Sequence, residues 1–130
     1  MAKNQKMRSW IILGARGLVA VEWLHEGLYN KVLGGDPRHE EIVASIPGLS
    51  RPQAIAAMRG LGLAESAIAA LVLSGRKRKE SALLQTGLVI IMNAGGLVFA
   101  GKHIPHHRRL ILRSTIFILL VWIAAQDTNA

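Results

Sequence analysis

Residues 10–33 read WIILGARGLVAVEWLHEGLYNKVL. The run is long and apolar enough to cross a bilayer, whose hydrocarbon core is about 30 Å thick and needs about 20 helical residues. Yet it contains Arg16, Glu22, His25 and Glu26. A charge in lipid is costly unless paired or wetted, so such residues face a bundle interior. The stretch predicts a membrane helix with a polar inner face that must find partners on other helices.

Three further apolar stretches supply candidates. Residues 53–73 carry Arg59 and Glu65, residues 81–101 carry Gln85, Thr86 and Asn93, and residues 110–125 carry Arg113, Ser114 and Thr115. At 51% hydrophobic and 18% charged, with a mean hydropathy of +0.31, the chain is too apolar for a soluble domain. Four spans use most of its 130 residues. The expected fold is all-α: an integral membrane four-helix bundle forming one transmembrane domain over 1–130, with spans near 10–33, 53–73, 81–101 and 110–125. Between the first two spans, Asp36-Pro37 reads as an N-cap followed by proline at the first helical position. A short amphipathic helix over 37–46 follows and stops at Pro47-Gly48. Its Ile42, Val43 and Ile46 would lie on the bundle or the membrane surface. Ser50 and Gln53 form a capping box for the second span, and Ser74-Gly75 ends it.

The first eight residues are basic, but no small-residue cleavage site follows at a suitable distance, so the first span is expected to persist as an anchor. The chain contains no cysteine, which excludes thiol, persulfide and thioether chemistry on it. The net charge of +8 sits between apolar spans, where its neighbours are anionic lipid headgroups rather than nucleic acid. Lys3, Lys6, Arg8 and the Arg76-Lys77-Arg78-Lys79 block share one side of a four-span topology. Lys31, Arg38, Arg51, Lys102, Arg108 and Arg109 share the other. The block lies against two spans, and the positive-inside rule then puts both termini in the cytoplasm, with the chain in the inner (plasma) membrane.

Depth along each helix pairs the charges. At 1.5 Å per residue, Arg16 lies about 9 Å and Glu65 about 12 Å from the inner ends of their helices. They are expected to form an ion pair, as are Arg59 and Glu26 or Glu22 near the outer end. Asn93 and Arg113 reach the same outer layer. Glu22, His25, Glu26, Arg59, Asn93 and Arg113 thus converge on a candidate polar pocket. One reading is structural, with ion pairs fixing helix register. The other is functional. Glu22, His25 and Glu26 stand at i, i+3 and i+4, a grouping that can exchange protons or hold a divalent metal. Glu-x-x-His occurs once, against a dinuclear site, which needs two. His103, His106 and His107 are weak metal candidates beside a headgroup-facing reading of their basic loop. Trp10, Trp23 and Trp122 read as packing or interface residues, and Gly95-Gly96 as a helix contact. No nucleophile triad, P-loop or dinucleotide fingerprint is present.

The run Glu22-Trp23-Leu24-His25-Glu26-Gly27-Leu28-Tyr29-Asn30-Lys31 resembles the first-helix signature of the DoxX-like membrane proteins: tryptophan, glycine four on, lysine four further. Gly62-Leu63-Ala64-Glu65 resembles their second-helix motif, and Asn93 falls where an asparagine is often seen. Trp23, Gly27, Lys31 and Glu65 are the family-like positions; Glu22, His25 and the histidine loop lie outside the pattern. The resemblance implies a small four-helix integral membrane protein of bacterial type. Its namesake is a subunit of a thiosulfate:quinone oxidoreductase, and other relatives belong to redox-linked membrane complexes. It therefore implies an accessory subunit of a redox complex, in contact with lipid and with other membrane subunits, with a quinone as candidate cofactor. Two alternatives stay open: a stand-alone enzyme or carrier with a Glu/His proton or metal site, and a transporter subunit or scaffold without redox chemistry.

Overall fold

The computed structural model describes residues 2–34, 37–101 and 106–128. Among these residues there are five α-helices and no strand. They are α1 (Ala2–Leu24), α2 (Pro37–Ala44), α3 (Arg51–Ser74), α4 (Arg78–Ala100) and α5 (His107–Ala124). α1 continues without a break into a π-helical segment, His25–Val32, in which the Leu33 N–H donates to the Leu28 carbonyl at 2.9 Å, an i→i+5 bond. The wide turn was not expected from the apolar pattern. Such π segments recur at functional sites.

The helix boundaries follow local chemistry. Ser50 accepts from the Gln53 N–H, and Gln53 accepts from the Ser50 N–H, so the expected capping box opens α3. Gly75, at φ +68, closes it; only glycine adopts that left-handed turn without strain. α1 starts at Ala2 rather than Trp10, because Lys3, Gln5, Lys6, Met7 and Arg8 are strong helix formers that continue the helix beyond its apolar stretch. Likewise α4 starts at Arg78 and α5 at His107, each a few residues before the apolar run. α2 ends at Ala44. The Asp36 cap expected for it lies outside the described residues.

α1 packs between α3 and α5, α5 packs on α4, and α3 meets α4 more sparsely. α2 bridges α3, α4 and the π segment at one end. Both termini lie at the other end. There Arg8 Nη1 donates to the Asp127 carbonyl at 3.0 Å, and Ser9 Oγ to the Thr128 carbonyl at 2.8 Å. The core occupies this half. Ala15, Val19, Ala20 and Trp23 of α1 meet Ile68, Ala69 and Val72 of α3, Ala82 and Val89 of α4, and Val121 and Ala124 of α5. The five alanines among them let the helix backbones approach.

α3 and α4 are long and apolar enough to cross a membrane, with mean hydropathies of 1.5 and 1.8. Only 33% and 22% of those stretches is buried inside the fold, so most of their apolar surface faces outward. Among the described residues these two helices meet that measure of length and hydropathy; α1 carries Arg16 and Glu22, and α5 opens on Arg108, Arg109 and Arg113.

Candidate functional site

The site begins with two glycines. A Cβ on Gly27 would stand 2.6 Å from the Gly62 carbonyl oxygen, and one on Gly62 would stand 2.5 Å from that of Gly27. The π segment and α3 therefore cross backbone to backbone. Four residues past Gly27 and three past Gly62, the same crossing brings Lys31 and Glu65 together. Lys31 Nζ lies 3.0 Å from Glu65 Oε2; the lysine side chain is 7% exposed and the glutamate 0%. Lys31 also donates to the Glu26 carbonyl at 3.3 Å and stands 3.8 Å from Glu26 Oε2. Glu65 Oε1 is buried and has no hydrogen-bond partner. Buried polar atoms are almost always satisfied, which makes this oxygen an exception.

The pair borders a cavity of about 670 Å³ in the half of the fold opposite the termini. The π segment and α1 contribute Glu22, Trp23, Glu26 and Lys31; α2 contributes Arg38, Ile42, Val43 and Ile46; α3 contributes Leu61 and Glu65. From α4 come Val89, Ile91, Met92, Asn93, Gly95, Gly96 and Phe99, and from the start of α5 Arg109, Leu110, Arg113, Ser114 and Phe117, with His106 just before it. Trp23 stands edge-on to Phe117, with ring centres 5.5 Å apart and planes at 71°. Its Nε1 donates to Gln85 Oε1 at 2.9 Å, and Gln85 Nε2 donates to Ser81 Oγ at 2.9 Å, which locks the indole plane. On the α5 side, Arg113 Nη2 lies 3.1 Å from Glu22 Oε1, and Asn93 Nδ2 donates to Ser114 Oγ. The cavity is thus apolar along its walls, with the Lys31–Glu65 pair on one side and Arg38, Arg109 and Arg113 around its polar end.

Of the six residues expected to converge, Glu22, Glu26, Asn93 and Arg113 line this cavity. His25 and Arg59 do not. α1 buries Trp23 and Gly27, and two residues on from Trp23 is about 200° around the helix. His25 therefore points outward, where it stacks on Tyr29 at 5.4 Å. Arg59 lies outside the buried stripe Ala54, Met58, Gly62, Glu65, Ala69, Val72 of α3 and is exposed. It forms none of the ion pairs seen among the described residues. Glu22 pairs with Arg113 instead of Arg59.

The expected Arg16–Glu65 pair is also replaced. Arg16 Nε donates to the Ala124 carbonyl at 2.9 Å and Nη2 to the Gln126 carbonyl at 2.8 Å, satisfying orphan carbonyls at the end of α5. It lies against Gly75, ten residues or about 15 Å along α3 from Glu65. The depth estimate went astray because it set the helices level at their apolar ends, whereas the Gly27–Gly62 crossing sets their register. Gly95 and Gly96 both line the cavity, and Gly95 is no close helix contact, since a Cβ on it would meet nothing within 4 Å. His103 lies outside the described residues. His106 faces the cavity, whereas His107 Nε2 lies 3.0 Å from the Gly101 carbonyl oxygen. Among the described residues no three His, Asp or Glu side chains are grouped to hold a metal.

Spacing and depth left Lys31 as one of the basic residues counted on one membrane side, and they placed Glu65 in the wrong pair. The usable signal was the pair of motifs Trp23-x3-Gly27-x3-Lys31 and Gly62-x2-Glu65. In the fold these are a buried indole, two glycines in backbone contact and the two partners of one ion pair.

Comparison with curated proteins and with solved structures gives no match. The model of the DoxX-like family matches residues 20–122. That span includes the glycine crossing, the Lys31–Glu65 pair and nearly all of the cavity wall, and the chain belongs to the DoxX-like family.

Proposed function

We propose that this DoxX-like membrane protein is an accessory subunit of a redox-linked membrane complex and that its cavity holds a quinone headgroup. α1 with its π segment, α3, α4 and α5 would all cross the bilayer, both termini in the cytoplasm, with the charges of α1 and α5 turned toward the cavity and the polar ends. The observation that carries the reading is Glu65 Oε1, buried and without a partner beside Lys31 on the cavity wall. Oε1 is closed to a water-sized molecule as packed, so a quinol hydroxyl would donate to it once the Glu65 carboxyl turns toward the cavity. Lys31 carries three N–H donors; two address Glu65 Oε2 and the Glu26 carbonyl, and the third suits a quinone carbonyl oxygen. Phe117, backed by the buried Trp23, offers aromatic surface for a flat ring, and a volume of about 670 Å³ falls in the range of about 300–1,000 Å³ typical of small-molecule sites. A carboxylate next to an ammonium in an apolar cavity can also take up or return the proton that quinone chemistry moves.

The test is Trp23 fluorescence in a Trp10→Phe/Trp122→Phe background. Saturable quenching by a short-chain benzoquinone or naphthoquinone, weakened at least tenfold by Glu65→Gln or Lys31→Met, is the expected result. Absence of saturable quenching by both quinones refutes the reading.

A further inference from the structure

On α4, Asn93 lies about 100° from Met92 in one direction, while Ile91 and Gly95 lie about 100° and 60° in the other. Asn93 is bonded to Ser114, so its side of the helix is closed by α5. The opposite side, with Ile91 and Gly95, turns toward α3, where Leu61 faces it across the cavity. α3 and α4 pack sparsely on each other, and at the cavity end α2 bridges them. Ile91 borders the cavity yet is 68% exposed, and no side chain fills the space over Gly95. α3 and α4, which carry this stretch of the cavity wall, are the two helices long and apolar enough to cross a membrane. Arg38, Arg109 and Arg113 stand at the polar end instead.

We infer that the cavity is reached sideways from the bilayer, through the gap between α3 and α4, and that its ligand is a membrane-dissolved amphiphile whose apolar tail stays in that gap. The polar head then lies beside the Lys31–Glu65 pair, inside the cavity, while Leu61, Ile91 and the bare backbone of Gly95 line the tail. The inference deepens the reading proposed above and rests on it for the nature of the head. The side opening serves any tailed ligand.

The chain has no cysteine, which makes the opening testable in the full protein. Trp23, 2% exposed, is the reporter in the Trp10→Phe/Trp122→Phe background, reconstituted in vesicles whose phospholipids carry brominated acyl chains. Brominated chains are expected to quench Trp23. Joining Leu61→Cys to Ile91→Cys with a bismaleimide is expected to reduce that quenching at least twofold. Gly95→Leu, whose Cβ meets nothing within 4 Å, should act in the same direction if the cross-link does not form. Quenching of Trp23 by acrylamide from water with none from brominated chains would overturn the side opening, as would brominated-chain quenching that neither modification changes. If brominated chains quench and the modifications block them, but neither quinone binds, the opening stands and the quinone reading falls.

Discussion

Replacing Lys31 with methionine should be among the most damaging single changes in the chain. Glu65 is 0% exposed and Lys31 7%, so neither charge is screened by solvent. Lys31→Met keeps the side-chain length but leaves the carboxylate without its only ionic partner among the described residues, since Oε1 is already unpartnered. Removing one member of a buried pair costs about 3–5 kcal/mol, whereas replacing both members with apolar residues is often neutral or stabilising. The single variant should therefore lose about 3–5 kcal/mol, and Lys31→Met/Glu65→Leu should recover most of it. Equilibrium unfolding in mixed detergent micelles, followed by circular dichroism, measures both. A cost below about 1 kcal/mol for Lys31→Met, the range of an exposed pair, would refute the claim that the pair is buried. A double variant no more stable than the single would refute the claim that the loss is electrostatic.

Gly27→Ala and Gly62→Ala should each destabilise by about 1–3 kcal/mol, the usual cost of overpacking, because the new Cβ meets backbone oxygen at 2.6 and 2.5 Å. Thermal melting of the pair against Gly14→Ala, whose Cβ meets nothing within 4 Å, is the comparison, and Gly14→Ala should be tolerated. Arg16→Met should loosen the end of α5 by about 1.5–3 kcal/mol, the value of hydrogen bonds to a charged group; hydrogen exchange over residues 121–128 should speed up. His25→Ala, on the outer face, should change stability by no more than about 0.5 kcal/mol and leave quinone quenching of Trp23 unaltered; a loss of binding would return His25 to the site. If all four long helices span the membrane with the termini inside, Arg78→Cys should resist an impermeant thiol reagent in intact cells and react once the membrane is opened.

Local features were legible in the sequence because they are decided by neighbours a few residues apart. The apolar periodicity gave four long helices and the short α2. The Ser50–Gln53 box and Gly75 set the ends of α3, and Trp23-x3-Gly27-x3-Lys31 with Gly62-x2-Glu65 marked the family. What the sequence left open was which charge meets which. Opposite signs at similar estimated depth joined Arg16 to Glu65, but helix register depends on where backbones cross, and a depth scale counted from apolar ends is blind to it. Only the tertiary structure placed Gly27 against Gly62, and from that contact Lys31 became the partner of Glu65 while Arg16 was left level with the end of α5. The rotation of each helix about its axis was likewise a matter of packing. It turned Glu22 and Glu26 into the cavity and sent His25 outward, because Trp23 is the residue that the core buries.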